Sequence, residues 1–285
     1  MNYNHFLFFV ILISSSLCIY PIAVFHGIVD SCTMKATSKL VKDLQTDLGV
    51  HVECIEIGNG FMDSVTKSIQ SQVEEACENI KSNPNFQKKF NVLGISQGTL
   101  IGRYIVEKCD MEGQVMKYMS FDGPQMGIAS LPKITCGTFC DWLCNITAPL
   151  AYKLKDNVAP CGYYKYKYDQ ETYMKTNTFL KMLNNENDVK DEEVYKRFSS
   201  LELVKLIKSK EDSVITPRDS SWFQFYDIEG KDIVPLNKSD FYIKDFIGLR
   251  KLDEEGKVIF TEFKGEHVLY TEDEYNNEIV TFFKD

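Results

Sequence analysis

Apolar positions in this chain switch repeatedly between two periods, one that suits strands and one that suits helices. Residues 22–25 are four consecutive apolar positions that end at His26-Gly27, which predicts a short buried strand and a turn. Over 37–48, Leu40, Val41, Leu44 and Leu48 fall at helical spacing. Residues 50–57 predict a second strand that stops at Gly58-Asn59-Gly60. Val65, Ile69, Val73, Ala76 and Ile80 then share one helix face across 65–80. A strand over 90–95, a helix over 97–108 carrying Leu100, Ile101, Tyr104 and Ile105, and a strand over 114–121 complete the series. Short apolar strands alternating with helices predict a mostly parallel sheet with helices on both faces.

The pattern changes after Gly127. Residues 130–200 hold four cysteines, many Tyr and Lys, and weaker helical segments, which predicts a helical cap insertion in a single domain spanning 19–285. Sheet-like segments resume beyond it. Residues 201–209 suit a strand or a helix, 258–263 a strand, and 272–283 a closing helix.

The N-terminus is a separate matter. Residues 6–13 are an unbroken apolar run, too short to span a bilayer, and Ser16-Leu17-Cys18 fits a small-x-small cleavage site. Residues 1–18 therefore read as a secretory signal peptide, and no other run is long and apolar enough for a transmembrane segment in the mature chain. Eight cysteines follow Cys18, an even number that suits disulfides of an oxidising compartment. Cys136, Cys140 and Cys144 lack a CxxC pair and a nearby His, so disulfides are expected there and no metal site. Sequons at Asn145 and Asn237 agree with the secretory route as glycosylation sites. The formal net charge of −9, with no cluster of Lys and Arg, argues against a nucleic-acid partner.

Chemistry enters at Gly94-Ile95-Ser96-Gln97-Gly98. This GxSxG follows a predicted strand and opens an amphipathic helix, the turn that exposes a nucleophilic serine in the α/β-hydrolase fold. A serine hydroxyl needs a base. Of four histidines, His5 lies in the signal, and His26 and His51 precede the serine, so His267 remains, in the nucleophile–acid–histidine order of that fold. The acid belongs between them. Asp212, just past the 201–209 segment, is preferred over Asp219 because a turn at a strand end fixes a carboxylate better. Gln97 and Ile28 are placed to give the backbone N–H groups of an oxyanion hole, and His26 shapes the loop. Ile28, Val214 and Ile215 neighbour these residues and are candidates for an acyl-binding wall.

With these motifs assembled, the chain resembles the palmitoyl-protein thioesterases over nearly all of its mature length. The resemblance rests on residues 26–32 (HGIVDSC), Glu56-Ile57-Gly58, the GxSxG, Leu131-Pro132, Asp212-Ser213-Val214-Ile215, residues 221–226 (SWFQFY) and Gly265-Glu266-His267. It implies Ser96, Asp212 and His267 as triad, with Ile28 and Gln97 as oxyanion donors. It further implies a Cys77–Cys109 disulfide and a pair at Cys136 and Cys140. Cys54, Cys144 and Cys161 depart from the family pattern, and Val29 and Thr99 stand where Gly is expected. The resemblance implies hydrolysis of long-chain acyl thioesters on S-palmitoylated proteins or peptides in a lysosomal or secreted setting, with no cofactor. Competing readings keep the fold and change the substrate, as a lipase or a short-chain acyl-CoA thioesterase, or make the chain a catalytically silent lipid-binding protein.

Overall fold

The computed structural model describes residues 19–132 and 146–284. Its first four strands are β1 (Ile22–Phe25), β2 (Val52–Cys54), β3 (Lys89–Ile95) and β4 (Gln114–Phe121). They are followed by β5 (Leu203–Ser209), β6 (Phe225–Tyr226), β7 (Ile233–Val234) and β8 (Val258–Phe263). Six of them form one sheet in the order β2-β1-β3-β4-β5-β8, with every neighbouring pair parallel. The other two, β6 and β7, pair as a small antiparallel ribbon.

Alternation along each strand splits the core between two faces, as a pleated strand buried on both sides requires. Ala23, Phe25, Val92 and Tyr118 pack on one face. Ile22, Val24, Leu93 and Met119 pack on the other. Helix α1 (Lys35–Leu48) covers the second face with Leu40, Leu44 and Leu48, joined by Ile279 and Phe282 from the C-terminal helical segment. The first face receives α3 (Ile69–Ser82) through Ile69, Val73, Ala76 and Ile80, and α4 (Gly98–Glu107) through Leu100, Ile101 and Ile105. Helices thus lie on both faces of a parallel sheet, as the periodicity predicts.

Three expected elements differ in detail. The helix expected over 65–80 is two: α2 (Asp63–Thr66) ends before Ser68, whose side chain accepts the Ser71 N–H and starts α3 afresh. The second strand is shorter than 50–57, because the chain leaves the sheet at Cys54, which is bonded to Cys32. Residues 203–209, open between strand and helix in the sequence, are a sheet strand. Their helix-like spacing comes from Lys205 and Lys208, which run along the sheet to reach Glu278 and Asp219. Between β4 and β5, the described chain forms short helices at Ala148–Leu154, Ala159–Gly162, Gln170–Thr176, Phe179–Leu183 and Glu192–Phe198. Among the described residues, no helix is long and apolar enough to cross a membrane.

Candidate active site

Ser96 occupies the turn between β3 and α4 with φ of 51°, a left-handed conformation that most side-chain-bearing residues avoid. The surrounding backbone holds it there. The Ser96 N–H donates to the Phe121 carbonyl at 2.8 Å, and Thr99 Oγ1 donates to the Ser96 carbonyl at 2.7 Å. The flanking glycines are needed because chains cross closely. A Cβ on Gly94 would fall 2.4 Å from Thr99 Cα, and one on Gly98 would fall 2.1 Å from the Phe25 carbonyl oxygen.

His267 arrives on the loop after β8. Its Nε2 lies 2.9 Å from Ser96 Oγ, and its Nδ1 lies 2.8 Å from Asp212 Oδ2. Asp212 follows the end of β5, and its Oδ1 accepts the N–H groups of Val214 at 2.7 Å and Ile215 at 3.0 Å. That carboxylate is therefore fixed by one oxygen and offers the other to the imidazole. Asp219, the second choice for the acid, accepts instead from Lys208 Nζ at 3.1 Å. The remaining described histidines sit elsewhere. His26 is buried with Nε2 3.2 Å from Glu56 Oε1, and His51 lies 2.8 Å from Glu53.

Both expected oxyanion donors are available. Among the described residues, neither the Ile28 N–H nor the Gln97 N–H donates to a protein acceptor. The Gln97 side chain is locked in place. Its Nε2 donates to the Ser64 carbonyl at 2.8 Å and to Gln72 Oε1 at 3.0 Å, and its Oε1 accepts the Tyr163 hydroxyl at 2.9 Å. Tyr163 lies between β4 and β5, so the chain there reaches the residue beside the serine.

A cavity of about 320 Å³ opens beside Ser96 and His267, walled largely by Ile28, Leu40, Ile95, Val214, Leu269 and Tyr270. Ile28 and Val214 lie on this wall. Ile215 is instead buried in the core and is not among the residues that line the cavity.

Asp122 is a further carboxylate at the site. It follows β4 directly, is fully buried, and has its Oδ2 3.8 Å from His267 Nδ1. Burial pushes its carboxyl up to about 6, partly opposed by His267. Nothing in the apolar pattern singles it out; a lone acid closing a buried strand was the available signal.

Among the described residues, two disulfides join Cys32 to Cys54 and Cys77 to Cys109. The second is the pair implied by the resemblance, whereas Cys54, a departure in the sequence, has a partner in Cys32. Cys161, another departure in the sequence, is a buried free thiol, and burial pushes it up to about 12. Asn237 lies exposed on a short turn. Residues 1–18, Cys136, Cys140, Cys144 and Asn145 lie outside the described residues.

The chain is similar to known proteins. Residues 21–267 match the palmitoyl protein thioesterase family. Palmitoyl-protein thioesterase 3 of Dictyostelium discoideum is 31% identical over 244 residues, covering 84% of this chain and 82% of its own. Palmitoyl-protein thioesterase 1 of Caenorhabditis elegans is 29% identical over 271 residues, covering 91% and 90%. A lysosomal thioesterase PPT2 homolog of Drosophila melanogaster is 28% identical, covering 87% and 85%. Lysosomal thioesterases are thus among the relatives, and the two disulfides fit the secretory pathway. In three dimensions, Est1E from Butyrivibrio proteoclasticus with bound ferulic acid superposes with a TM-score of 0.51 at 12% identity, covering 93% of this chain and 87% of that one. An esterase of Pyrobaculum calidifontis gives 0.50 at 12% identity, covering 93% and 76%. At that identity the likeness concerns architecture alone, and the architecture is the α/β-hydrolase fold. Sequence match, fold and strand-end geometry together place the chain in the palmitoyl protein thioesterase family.

Proposed function

We propose that this protein is a serine thioesterase that removes long-chain acyl groups, palmitoyl above all, from cysteine residues of S-acylated proteins or peptides. The observation that carries the reading is the unbroken series Asp212–His267–Ser96, with contacts of 2.8 and 2.9 Å, beside an apolar cavity. Ser96 Oγ attacks the thioester carbonyl while His267 Nε2 takes its proton, and Asp212 holds the imidazole and stabilises the imidazolium. The free N–H groups of Ile28 and Gln97 receive the oxyanion. His267 then protonates the departing cysteine thiolate. A water molecule, deprotonated by the same imidazole, releases the fatty acid from the acyl-serine. No cofactor or metal enters these steps.

Chain length favours an apolar wall, since each methylene buried contributes about 0.8 kcal/mol. Ile28 and Val214 stand on that wall next to the reacting groups. The insertion over 130–200 acts as a cap, docked through Tyr163. The protein works in the lysosome or outside the cell after secretory export, with Asn237 exposed for glycosylation. The deciding experiment offers an S-palmitoyl cysteine peptide and an oxygen ester of equal length to wild type and Ser96→Ala. The thioester should be the better substrate, and the variant should lose about 10⁴-fold or more. A preference for the oxygen ester would make the protein a lipase, and binding without turnover of either would make it a lipid carrier.

A further inference from the structure

Asp122 has more contacts than a simple strand end needs. Its Oδ1 accepts the Ser209 N–H at 2.6 Å, and its Oδ2 accepts the Ser209 hydroxyl and the Val268 N–H, each at 2.7 Å. Ser209 ends β5, three residues before Asp212, and Val268 follows His267 directly. One carboxylate therefore ties the acid-bearing turn to the histidine loop. Val268 has φ of 58°, a strained conformation for a β-branched residue that this N–H contact helps to hold. The same Oδ2 stands 3.8 Å from His267 Nδ1, the nitrogen that Asp212 approaches to 2.8 Å. Asn here would set its amide N–H groups against the Ser209 or the Val268 N–H, so this wholly accepting tie itself calls for a carboxylate. Once ionised, the same carboxylate also brings a second negative charge to face the imidazole.

We propose that Asp122 is a second acid for His267. It is a positioning residue that sets the histidine loop, shares with Asp212 the stabilisation of the imidazolium, and sustains the site when the Asp212 carboxylate is removed. This inference rests on the reading of Ser96 and His267 as nucleophile and base. The proton path is unchanged: the Ser96 proton passes to His267 Nε2, while Nδ1–H remains on the ring and faces two carboxylates in place of one. The titratable groups that act on Asp122 are His267, from the loop after β8, and Asp212, from the turn after β5. Its pH response follows from burial, which raises its carboxyl to about 6.

The test compares wild type, Asp122→Asn, Asp212→Asn and the double variant. It reads the rate of Ser96 labelling by a fluorophosphonate, and kcat and KM for a palmitoyl thioester, from pH 4.5 to 8. Neutralising the acid of a Ser-His-Asp site ordinarily costs about 10⁴-fold in kcat. Here Asp212→Asn should lose only about 10²-fold, and its remaining activity should rise with pH as Asp122 ionises, at a lower pH than in wild type because the Asp212 charge that helps to raise it is gone. Asp122→Asn should cost about 10-fold alone and about 100-fold in the Asp212→Asn background, with KM unchanged, and should remove that rise. An Asp212→Asn variant as inactive as Ser96→Ala overturns the proposal, whether or not Asp122→Asn folds. Equal losses in both backgrounds with an unaltered pH profile also overturn it. If wild type itself is neither labelled nor active, the reading of Ser96 and His267 fails instead.

Discussion

Val29 illustrates how single residues bear the cost of this site. It follows Ile28, the proposed oxyanion donor, in a left-handed conformation, φ 55°, where the family resemblance leads one to expect Gly. Its N–H is held by Ser64 Oγ at 2.8 Å. A β-branched residue in this region stores about 1–3 kcal/mol of strain. Val29→Gly should therefore raise the free energy of unfolding by about 1 kcal/mol, after the greater unfolded-state entropy of glycine is subtracted. Urea denaturation checks this, and a loss of stability would contradict it. Asp122 makes a pH-dependent contribution of definite sign. Its carboxyl is raised from 3.8 to about 6, first by burial, so the folded chain holds that proton more tightly than the unfolded chain. The stability it adds is complete below about pH 4 and is lost as pH rises through 6. Asp122→Asn should flatten that portion of the stability–pH curve. Unfolding measured at several pH values in this window would show it, and an unchanged slope would refute it.

Helix α4 shows what anchors an element behind a strained turn. Arg103 on α4 is fully buried and pairs with Glu107 at 2.8 Å. It also donates to the Gln125 carbonyl and side chain, to the Leu183 carbonyl at 2.6 Å and to Asn184 Oδ1 at 2.9 Å. This one side chain ties the helix behind Ser96 to the segment after β4 and to the end of the helix Phe179–Leu183. Burial already raises the Glu107 carboxyl to about 7 against the pull of Arg103. Arg103→Met leaves that acid without its partner and should cost about 3–5 kcal/mol, as breaking a buried pair does. Denaturation midpoints measure it, and a cost below about 1 kcal/mol would mean that the network is not an anchor. The sequence carries no trace of such a tie, because its partners lie up to 81 positions away and share no period. The sheet elements were readable because burial on both faces leaves short, nearly continuous apolar runs. The break at Ser68 was not, since a capping hydroxyl competes with an uninterrupted apolar face.

At the scale of the molecule, the strands deliver chemistry from one end of the sheet. Ser96 follows β3, Asp122 β4, Asp212 β5 and His267 β8, so four C-terminal strand ends converge on one point. Three of those positions could be read from order along the chain and from the scarcity of histidine. The fourth could not, because an aspartate is common and its role depends on the pairing of β4 with β5. Likewise, the cavity wall was only half legible. Ile28 and Val214 adjoin chemically active residues in sequence, whereas Leu40, Leu269 and Tyr270 reach the cavity only through folding. The Cys77–Cys109 bond closes a 32-residue separation across α3 and α4. Removing it should cost about 2–4 kcal/mol without altering the geometry at Ser96, as thermal unfolding and fluorophosphonate labelling would respectively show. The central claim, that Ser96 carries the acyl group, is tested most directly by mixing the protein with a palmitoyl thioester, quenching within a turnover and weighing the intact chain. The account predicts a palmitoyl adduct that maps to Ser96, forms with matching thiol release and is absent from Ser96→Ala. An adduct on another residue, or undiminished turnover by Ser96→Ala, would contradict it.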